Sequence, residues 1–148
     1  MAIVALASDH AGVDLKAELG EELKKQGHEV LDLGPATTAS VDYPDFAVKV
    51  AQAITSGRAN LGVLVCGTGI GMSITANKVH GIRAALCHTE FEARMSRMHN
   101  DANVLCLGQR VTGVGLANDI LKAFLGASFE GGRHAGRLEK IRQVEAKQ

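Results

Sequence analysis

Five short, almost wholly apolar segments alternate along this chain with segments of helical periodicity, and this alternation constrains the fold more than any other feature. Each apolar run has the length of a β-strand and the Val, Ile, Leu and Ala content of strands that are covered on both faces. The pattern predicts βαβ units around a five-stranded parallel sheet. The predicted strands are Ile3 to Ala7, Glu29 to Leu33, Leu61 to Cys66, Ile82 to Cys87 and Asn103 to Leu107.

Between the strands, apolar residues recur every four positions, so that each set lies on one face of a helix that can cover the sheet. The repeats are Leu15, Leu19 and Leu23, then Phe46, Val50 and Ile54, then Leu116, Ile120 and Phe124. A helix is predicted to begin near Pro44, because a residue of the first turn needs no N–H. Further predictions are a helix over Met72 to Val79 and a polar C-terminal arm or helix from about 133. The 148 residues fit one domain.

Charge and hydropathy exclude several functional classes. The 16 basic and 16 acidic residues cancel, so no overall field attracts nucleic acid or an anionic membrane. The longest apolar run, Leu61 to Cys66, is far shorter than the roughly 20 residues that span a bilayer. Met1 to Ser8 has neither the basic start nor the cleavage pattern of a secretion signal, which predicts a cytoplasmic protein. The odd number of cysteines, without C-x-x-C spacing, argues against a disulfide framework and a thiolate zinc site.

The residues directly after each strand are the candidates for a ligand site. Right-handed crossovers bring the carboxyl ends of parallel strands to one rim, and ligands of open α/β sheets bind there. These positions hold Ser8-Asp9-His10, Gly34, Cys66-Gly67-Thr68-Gly69, His88 and Gly108-Gln109-Arg110.

A glycine-rich loop follows the third predicted strand. Gly67, Gly69 and Gly71 precede a predicted helix, so backbone N–H groups of the loop can bind an anion above the rim. The spacing matches neither the dinucleotide fingerprint nor the P-loop, and the glycines alone are equally typical of a tight turn without a ligand. Cys66 favours the functional interpretation, because nearby amides and a helix N-terminus stabilise a thiolate that can act as a base.

The other polar candidates each have a structural interpretation as well. Asp9-His10 offers a proton carrier and a cationic contact, or an N-cap for the next helix. His99-Asn100-Asp101 is interpreted as a polar turn before the fifth strand. Arg133 and Arg137 share one helix face, where together with His134 they clamp a phosphate or form a solvated basic tail. Both interpretations stay open at this point.

Two cysteines and three histidines are interpreted as non-functional. Cys87 and Cys106 lie in or at the end of apolar strands with no glycine loop behind them, which predicts buried, inert thiols. His28, His80 and His88 have no spacing with carboxylates that indicates a metal site.

Seven motifs in order along the chain resemble ribose-5-phosphate isomerase of type B. The resemblance implies a Rossmann-like three-layer α/β/α sandwich and a homodimer whose active sites draw residues from both subunits. It also implies interconversion of ribose 5-phosphate and ribulose 5-phosphate, in the non-oxidative pentose phosphate pathway, without a metal or cofactor. The motifs are Ser8-Asp9-His10-Ala11-Gly12, Asp42-Tyr43-Pro44, the run from Cys66 to Ser73, Ala76-Asn77-Lys78, Gly81-Ile82-Arg83-Ala84, the run from His99 to Asn103, and Gly131-Gly132-Arg133-His134.

The resemblance also implies a role for each site residue. Cys66 is the base that moves a proton between C2 and C1, and Thr68 assists proton transfer to the oxygens. His99, with Asp9 nearby, opens the furanose ring. Loop amides stabilise the enediolate, Tyr43 and Asn100 hold hydroxyls, and one histidine with three arginines holds the phosphate. The implied substrate-binding residues are His10, Tyr43, Gly67, Gly69, Ile70, Gly71, Ser73, Asn100, Arg110, Arg133 and Arg137.

The sequence excludes one catalytic variant of the family and leaves other functions to be weighed. Some relatives carry serine in place of Cys66 and use a glutamate a few positions later, but no acid lies between Cys66 and Lys78 here. Galactose-6-phosphate isomerase subunits typically lack the His-Asn-Asp and Gly-Gly-Arg-His segments that this chain has, whereas allose 6-phosphate stays open as a substrate. A non-catalytic phosphate- or nucleotide-binding module is the alternative from another class. Pairing of dimers into a tetramer, and the subunit that supplies each arginine, also stay open.

Overall fold

A five-stranded parallel sheet lies at the centre of the computed structural model, which describes residues 1–148, and helices cover both of its faces. The three-layer α/β/α architecture is therefore confirmed. The strands are β1 (Ile3–Ser8), β2 (Glu29–Asp32), β3 (Leu61–Cys66), β4 (Ala84–Leu86) and β5 (Val104–Gly108). The helices are α1 (Val13–Lys25), α2 (Tyr43–Thr55), α3 (Ile70–Ala76), α4 (Glu90–Asn100), α5 (Val114–Leu125) and α6 (Arg133–Glu145), with a short 3₁₀ turn over His10–Gly12.

The two sides of the sheet carry separate cores, because successive strand residues point to opposite faces. On one side Leu15, Leu19 and Leu23 of α1 pack with Phe124 of α5, and all four are at most 2% exposed. On the other side α2 and α3 pack against the alternate strand residues, with Met72 fully buried. The predicted stripes of α1 and α2 face the sheet as expected, with Phe46 and Ile54 partly buried. Leu116 differs: it is 44% exposed, because the buried face of α5 begins at Ala117.

The strand order, β2-β1-β3-β5-β4, determines where a ligand can sit. From β1 the chain passes to β2 on one side and then crosses to β3 on the other, so a switch point lies between β1 and β3. Their carboxyl ends are level: Ser8 pairs with Val65, and the Asp9 N–H donates to the Val65 carbonyl over 3.1 Å. Cys66 pairs in turn with Gly108 of β5. The crevice above β1, β3 and β5 is therefore the expected ligand position for this class of sheet.

Helix α4 is an element that the sequence patterns did not predict, and its presence corrects the interpretation of His99-Asn100-Asp101. His99 and Asn100 form the last turn of α4, and Asp101 caps the helix in the left-handed region with φ 44°. The helix is strongly polar, so periodicity alone gives a weak signal. An arrangement close to a capping box starts it: Thr89 Oγ1 accepts from the Glu92 N–H over 3.1 Å, and Glu92 Oε1 accepts over 2.9 Å from the N–H of His88, the residue before the N-cap.

Other differences concern element ends. The predicted strand from Ile82 to Cys87 is restricted to β4, because both terminal residues lie outside the ladder with β5. Helix α3 begins two residues before Met72 and ends at Ala76, short of Val79. The C-terminal segment is helix α6, with Leu138 buried but Ile141 and Val144 exposed. No helix of the chain combines the length and the apolar character that crossing a bilayer requires.

Candidate active site

A shallow pocket of about 410 Å³ opens at the switch point, above the carboxyl ends of β1 and β3. All of its lining residues except Ile74 were predicted from the sequence. The lining consists of Asp9, Tyr43, Cys66, Gly67, Thr68, Ile70, Gly71, Ile74 and Arg110. These residues come from the turns after β1, β3 and β5 and from the start of α2 and α3, so five elements converge on one small volume.

Cys66 lies at the base of this pocket with its sulfur held by the glycine loop. The Gly69 N–H donates to Cys66 Sγ over 3.1 Å, and the residue is 5% exposed. Gly69 caps α3 with φ 80°, and a Cβ there would come within 2.5 Å of Leu86 Cδ1, so both conformation and space require glycine. The loop therefore fixes the thiol at the N-terminus of α3, with a backbone N–H pointing at its sulfur.

The same loop presents unpaired backbone donors around the thiol. The N–H groups of Gly67, Thr68 and Gly71 make no hydrogen bond within the chain, whereas the Ile70 N–H donates to Thr68 Oγ1 over 3.3 Å. Free amides beside a helix N-terminus bind negatively charged oxygen. The arrangement places a candidate base and candidate oxyanion donors on one six-residue segment, residues 66–71.

Two side chains close the pocket over the loop glycines. A Cβ on Gly71 would come within 2.5 Å of the Tyr43 ring, and a Cβ on Gly67 within 3.3 Å of an Arg110 guanidinium nitrogen. The Arg110 N–H donates to the Gly67 carbonyl over 3.0 Å, which ties the turn after β5 to the loop. Arg110 has no carboxylate partner, so its charge is available to an anion.

Asp9 and His10 stand beside the loop on the turn after β1. Asp9 is 7% exposed, and its Oδ1 accepts from the Ala11 N–H over 2.9 Å, so it caps the 3₁₀ turn that leads into α1, whereas α1 itself begins after Gly12 without a side-chain cap. His10 Nδ1 lies 3.2 Å from both the N and the O of Val41. The carboxylate lines the pocket as well, so capping and a place in the site are compatible for Asp9.

Cys87 and Cys106 are buried and chemically quiet, as predicted. Burial raises the pKa of Cys87 to about 11, and burial also raises the pKa of the Cys106 thiol, far above its ordinary value. All three cysteines are free thiols. Cys66 is therefore distinguished from the other two by the loop amide at its sulfur and by its place in the pocket.

Four predicted site residues lie at the opposite rim of the sheet, away from the Cys66 pocket of the same chain. Helix α4 runs back from the carboxyl rim, so His99 and Asn100 in its last turn are at the amino rim, where β5 begins. The two rims are roughly 16 Å apart for a five-residue strand. Asn100 lines a separate cleft there, with Arg83 and Ala102. Arg133 and Arg137 belong to α6, which packs against α4, and both are exposed without a carboxylate partner.

Ser73 also lies outside the pocket lining, although its helix borders the site. Its hydroxyl donates to the Ile70 carbonyl over 2.8 Å inside α3.

At the amino rim His99 stacks on His134. The ring centroids are 4.2 Å apart, the planes differ by 13°, and His134 is 5% exposed. Burial lowers the pKa of His134, and the nearby His99 and Arg133 lower it further. Glu130 Oε2 lies 3.5 Å from His134 Nε2. Glu130 was not predicted, and the contact between His99 and His134 has no signal in their sequence spacing.

Comparison with known proteins places this geometry in a family. The family model described as Ribose/Galactose Isomerase matches residues 4–141. The chain is 47% identical to ribose-5-phosphate isomerase B of Escherichia coli over 142 residues, which is 96% of this chain and 95% of that protein.

Solved structures agree with the sequence match. Ribose-5-phosphate isomerase B of Clostridium thermocellum superposes with a TM-score of 0.97 at 54% identity and covers 98% of both chains. The Mycoplasma genitalium enzyme, solved with bound ribulose-5-phosphate, gives a TM-score of 0.93 at 44% identity, over 99% of this chain and 97% of that one.

Proposed function

This chain belongs to the ribose/galactose isomerase family, and we infer that it is an isomerase that interconverts ribose 5-phosphate and ribulose 5-phosphate. The observation that carries the catalytic part of this proposal is the Cys66 thiol at the base of the pocket, beside free backbone amides. Aldose–ketose isomerisation needs a base at carbon and donors at the adjacent oxygens, because the hydrogen α to a carbonyl is only weakly acidic. One loop supplies both.

We propose that the Cys66 thiolate removes the proton from C2 of the open-chain aldose and returns it to C1. The electron pair of the C2–H bond forms the enediolate, whose oxygens accept from the free N–H groups of Gly67, Thr68 and Gly71, while the Gly69 N–H holds Cys66 Sγ in place. The Thr68 hydroxyl, exposed at the pocket edge, transfers the proton between the two oxygens. A positioned base supplies about 10²- to 10⁴-fold of such a rate enhancement, and the amides and the phosphate anchor supply much of the rest.

Substrate binding and ring opening follow from the remaining polar groups. Tyr43 stands over Gly71 at the pocket wall, where its hydroxyl can hold a sugar hydroxyl, and Ile70 forms the adjoining wall. His10 and Arg110 flank the pocket and hold the phosphate. His99, with Asp9, opens the furanose ring. Asn100, Arg133 and Arg137 complete the hydroxyl and phosphate contacts, and Ser73 supports the loop from α3.

The active unit is a homodimer in which each site uses both chains. His99, Asn100, Arg133 and Arg137 lie at the rim opposite Cys66, so no single chain holds the full proposed set. Large apolar side chains are exposed where a second copy would pack around the pocket mouth. They are Ile70, Ile74, Phe91, Val111 and Val114, each between 45% and 62% exposed and each on a segment that begins at the carboxyl rim. Exposed large apolar residues near a pocket mouth support a proposed interaction surface there.

A cytoplasmic location and a place in the non-oxidative pentose phosphate pathway complete the proposal. Three free thiols suit a reducing compartment. Ribose 5-phosphate and ribulose 5-phosphate are exchanged within that pathway. The whole chain forms one isomerase domain, since each element packs either on the single sheet or, like α6, on a neighbouring helix.

Turnover of purified protein on three sugar phosphates tests the function. We expect ribose 5-phosphate to be converted, with allose 6-phosphate and galactose 6-phosphate much slower or inert. Cys66→Ala should lower kcat at least about 10²-fold and still bind a sugar-phosphate analogue. Unchanged turnover in Cys66→Ala contradicts the assignment of the base. Binding without turnover of any of the three by the wild type favours the non-catalytic module instead.

A further inference from the structure

Three possible metal ligands meet at the amino rim, outside the Cys66 pocket. His99 from α4, His134 from α6 and Glu130 from the preceding loop each offer one ligand atom, and these atoms all lie within 4.8 Å of one another. The three residues differ in exposure: His134 is buried, His99 is half-buried and Glu130 is 43% exposed at its side chain. The cluster is therefore open on the Glu130 side and closed on the His134 side.

The buried member of the cluster lacks a partner. His134 Nε2 is inaccessible and makes no hydrogen bond, since the 3.5 Å separation from Glu130 Oε2 is too long for one. A buried polar nitrogen without a partner is uncommon and indicates a missing ligand or a functional role. A cation between this nitrogen and the Glu130 carboxylate would satisfy the nitrogen and neutralise the carboxylate.

The donor set suits a divalent transition metal rather than Mg²⁺ or Ca²⁺. Two imidazoles and one carboxylate are typical Zn²⁺ ligands, whereas the hard cations prefer oxygen. A tetrahedral Zn²⁺ with bonds of about 2.0 Å places its ligand atoms roughly 3.3 Å apart. In the stack of His99 on His134 the two ring planes are nearly parallel, so the half-buried His99 must turn out of the stack before both imidazoles can bind one ion. Three protein ligands leave a fourth position for water.

We propose that His99, Glu130 and His134 form a binding site for a divalent transition metal such as Zn²⁺, and that the bound metal inhibits the enzyme. The inhibitory part rests on the proposed function, because a metal on His99 removes that imidazole from ring opening. The metal plays no part in the isomerisation itself. The binding part stands on the cluster alone.

Metal binding is tested first, without substrate. Titration of the metal-free dimer with Co²⁺, followed by visible absorption and by calorimetry, should give one ion per chain with the weak bands of nitrogen and oxygen ligation. Glu130→Gln and His134→Ala should each weaken binding at least about tenfold. His80→Ala and Glu139→Gln, which remove an exposed histidine and an exposed carboxylate elsewhere, should leave it unchanged. Unchanged binding in both cluster variants overturns the site.

The Cys66 thiol is the competing ligand, and a separate variant distinguishes it. Cys66→Ala should retain full Co²⁺ binding, and the Co²⁺-loaded wild type should show no intense thiolate charge-transfer band. Loss of binding in Cys66→Ala overturns the proposal in favour of the thiol. This readout does not depend on turnover, so it separates failure of the metal site from failure of the proposed isomerase function.

Inhibition is then measured as a ratio within each variant. Saturating Zn²⁺ should lower the wild-type rate at least about tenfold, because a positioned acid–base group is removed, and a chelator should restore it. Glu130→Gln, compared with its own metal-free rate, should lose most of this inhibition. Equal inhibition of wild type and Glu130→Gln contradicts the proposal.

Discussion

At the scale of single residues, the three buried cysteines differ in a way that singles out Cys66 as the proposed base. Cys66 and Cys106 share one core of the protein, and Cys87 belongs to the other. Only Cys66 has a backbone donor at its sulfur and a pocket in front of it. Burial raises the pKa of Cys87 and of Cys106, and the negative charge of Glu92 raises the pKa of Cys87 further, so both thiols stay protonated.

Alkylation of the folded protein should therefore be selective. With excess iodoacetamide near neutral pH, we expect Cys66 to be modified first and turnover to fall in parallel. A substrate analogue should slow the modification, because Cys66 lines the substrate pocket. Peptide mass spectrometry identifies the labelled residue, and the unfolded protein, with three accessible thiols, is the control. Faster labelling of Cys87 or Cys106 in the folded state contradicts this assignment.

At the scale of elements, α4 decides where the second half of the proposed site lies. Thr89 begins the helix by accepting from the Glu92 N–H, and the Asp101 cap ends it beside the first residues of β5. The hydrogen bond from the His88 N–H lowers the pKa of Glu92. A lowered carboxyl pKa in the folded state means that the stabilisation is present at neutral pH and is lost as pH falls through that pKa.

Removal of the Thr89 cap should destabilise α4 in a measurable way. Thr89→Ala loses the acceptor for the Glu92 N–H, and we expect the free energy of unfolding to fall by about 1 kcal/mol in urea titration. Thr89→Ser retains the hydroxyl and is the matched control, with a change near zero. Equal losses in both variants would show that the side-chain oxygen is not what stabilises the helix start.

At the scale of the whole molecule, the direction of α4 divides the proposed catalytic residues between two rims. Helices that connect parallel strands run antiparallel to them, so the last turn of α4 cannot lie beside Cys66 in the same chain. In the proposed homodimer, two-fold symmetry would bring the His99 rim of each copy to the Cys66 pocket of the other, because a two-fold interface is self-complementary.

Mixing two inactive variants tests this shared arrangement. If the proposed homodimer is correct, Cys66→Ala and His99→Ala should each be inactive alone, whereas a mixed dimer should carry one site with both wild-type residues. After co-refolding equal amounts, about a quarter of all sites should be intact, and the rate should recover to that level. A mixture as inactive as its components would place both residues in one chain's site. Refolded wild type gives the reference rate.

The sequence by itself determined the local features of this protein. Strand-length apolar runs, helical stripes and the glycine loop depend on the nearest residues in the chain, so the sheet, the Cys66 turn and the N-cap role of Asp9 were predictable. The capping residues of α4 were also present in the sequence, although the polar helix behind them gave no periodic signal.

Only the tertiary structure decided which distant residues meet. The strand order and the direction of α4 separate His99 from Cys66 and bring His99 against His134 and Glu130. Such contacts depend on how helices pack on the sheet, which is set by side-chain volumes across the whole core and not by spacing along the chain.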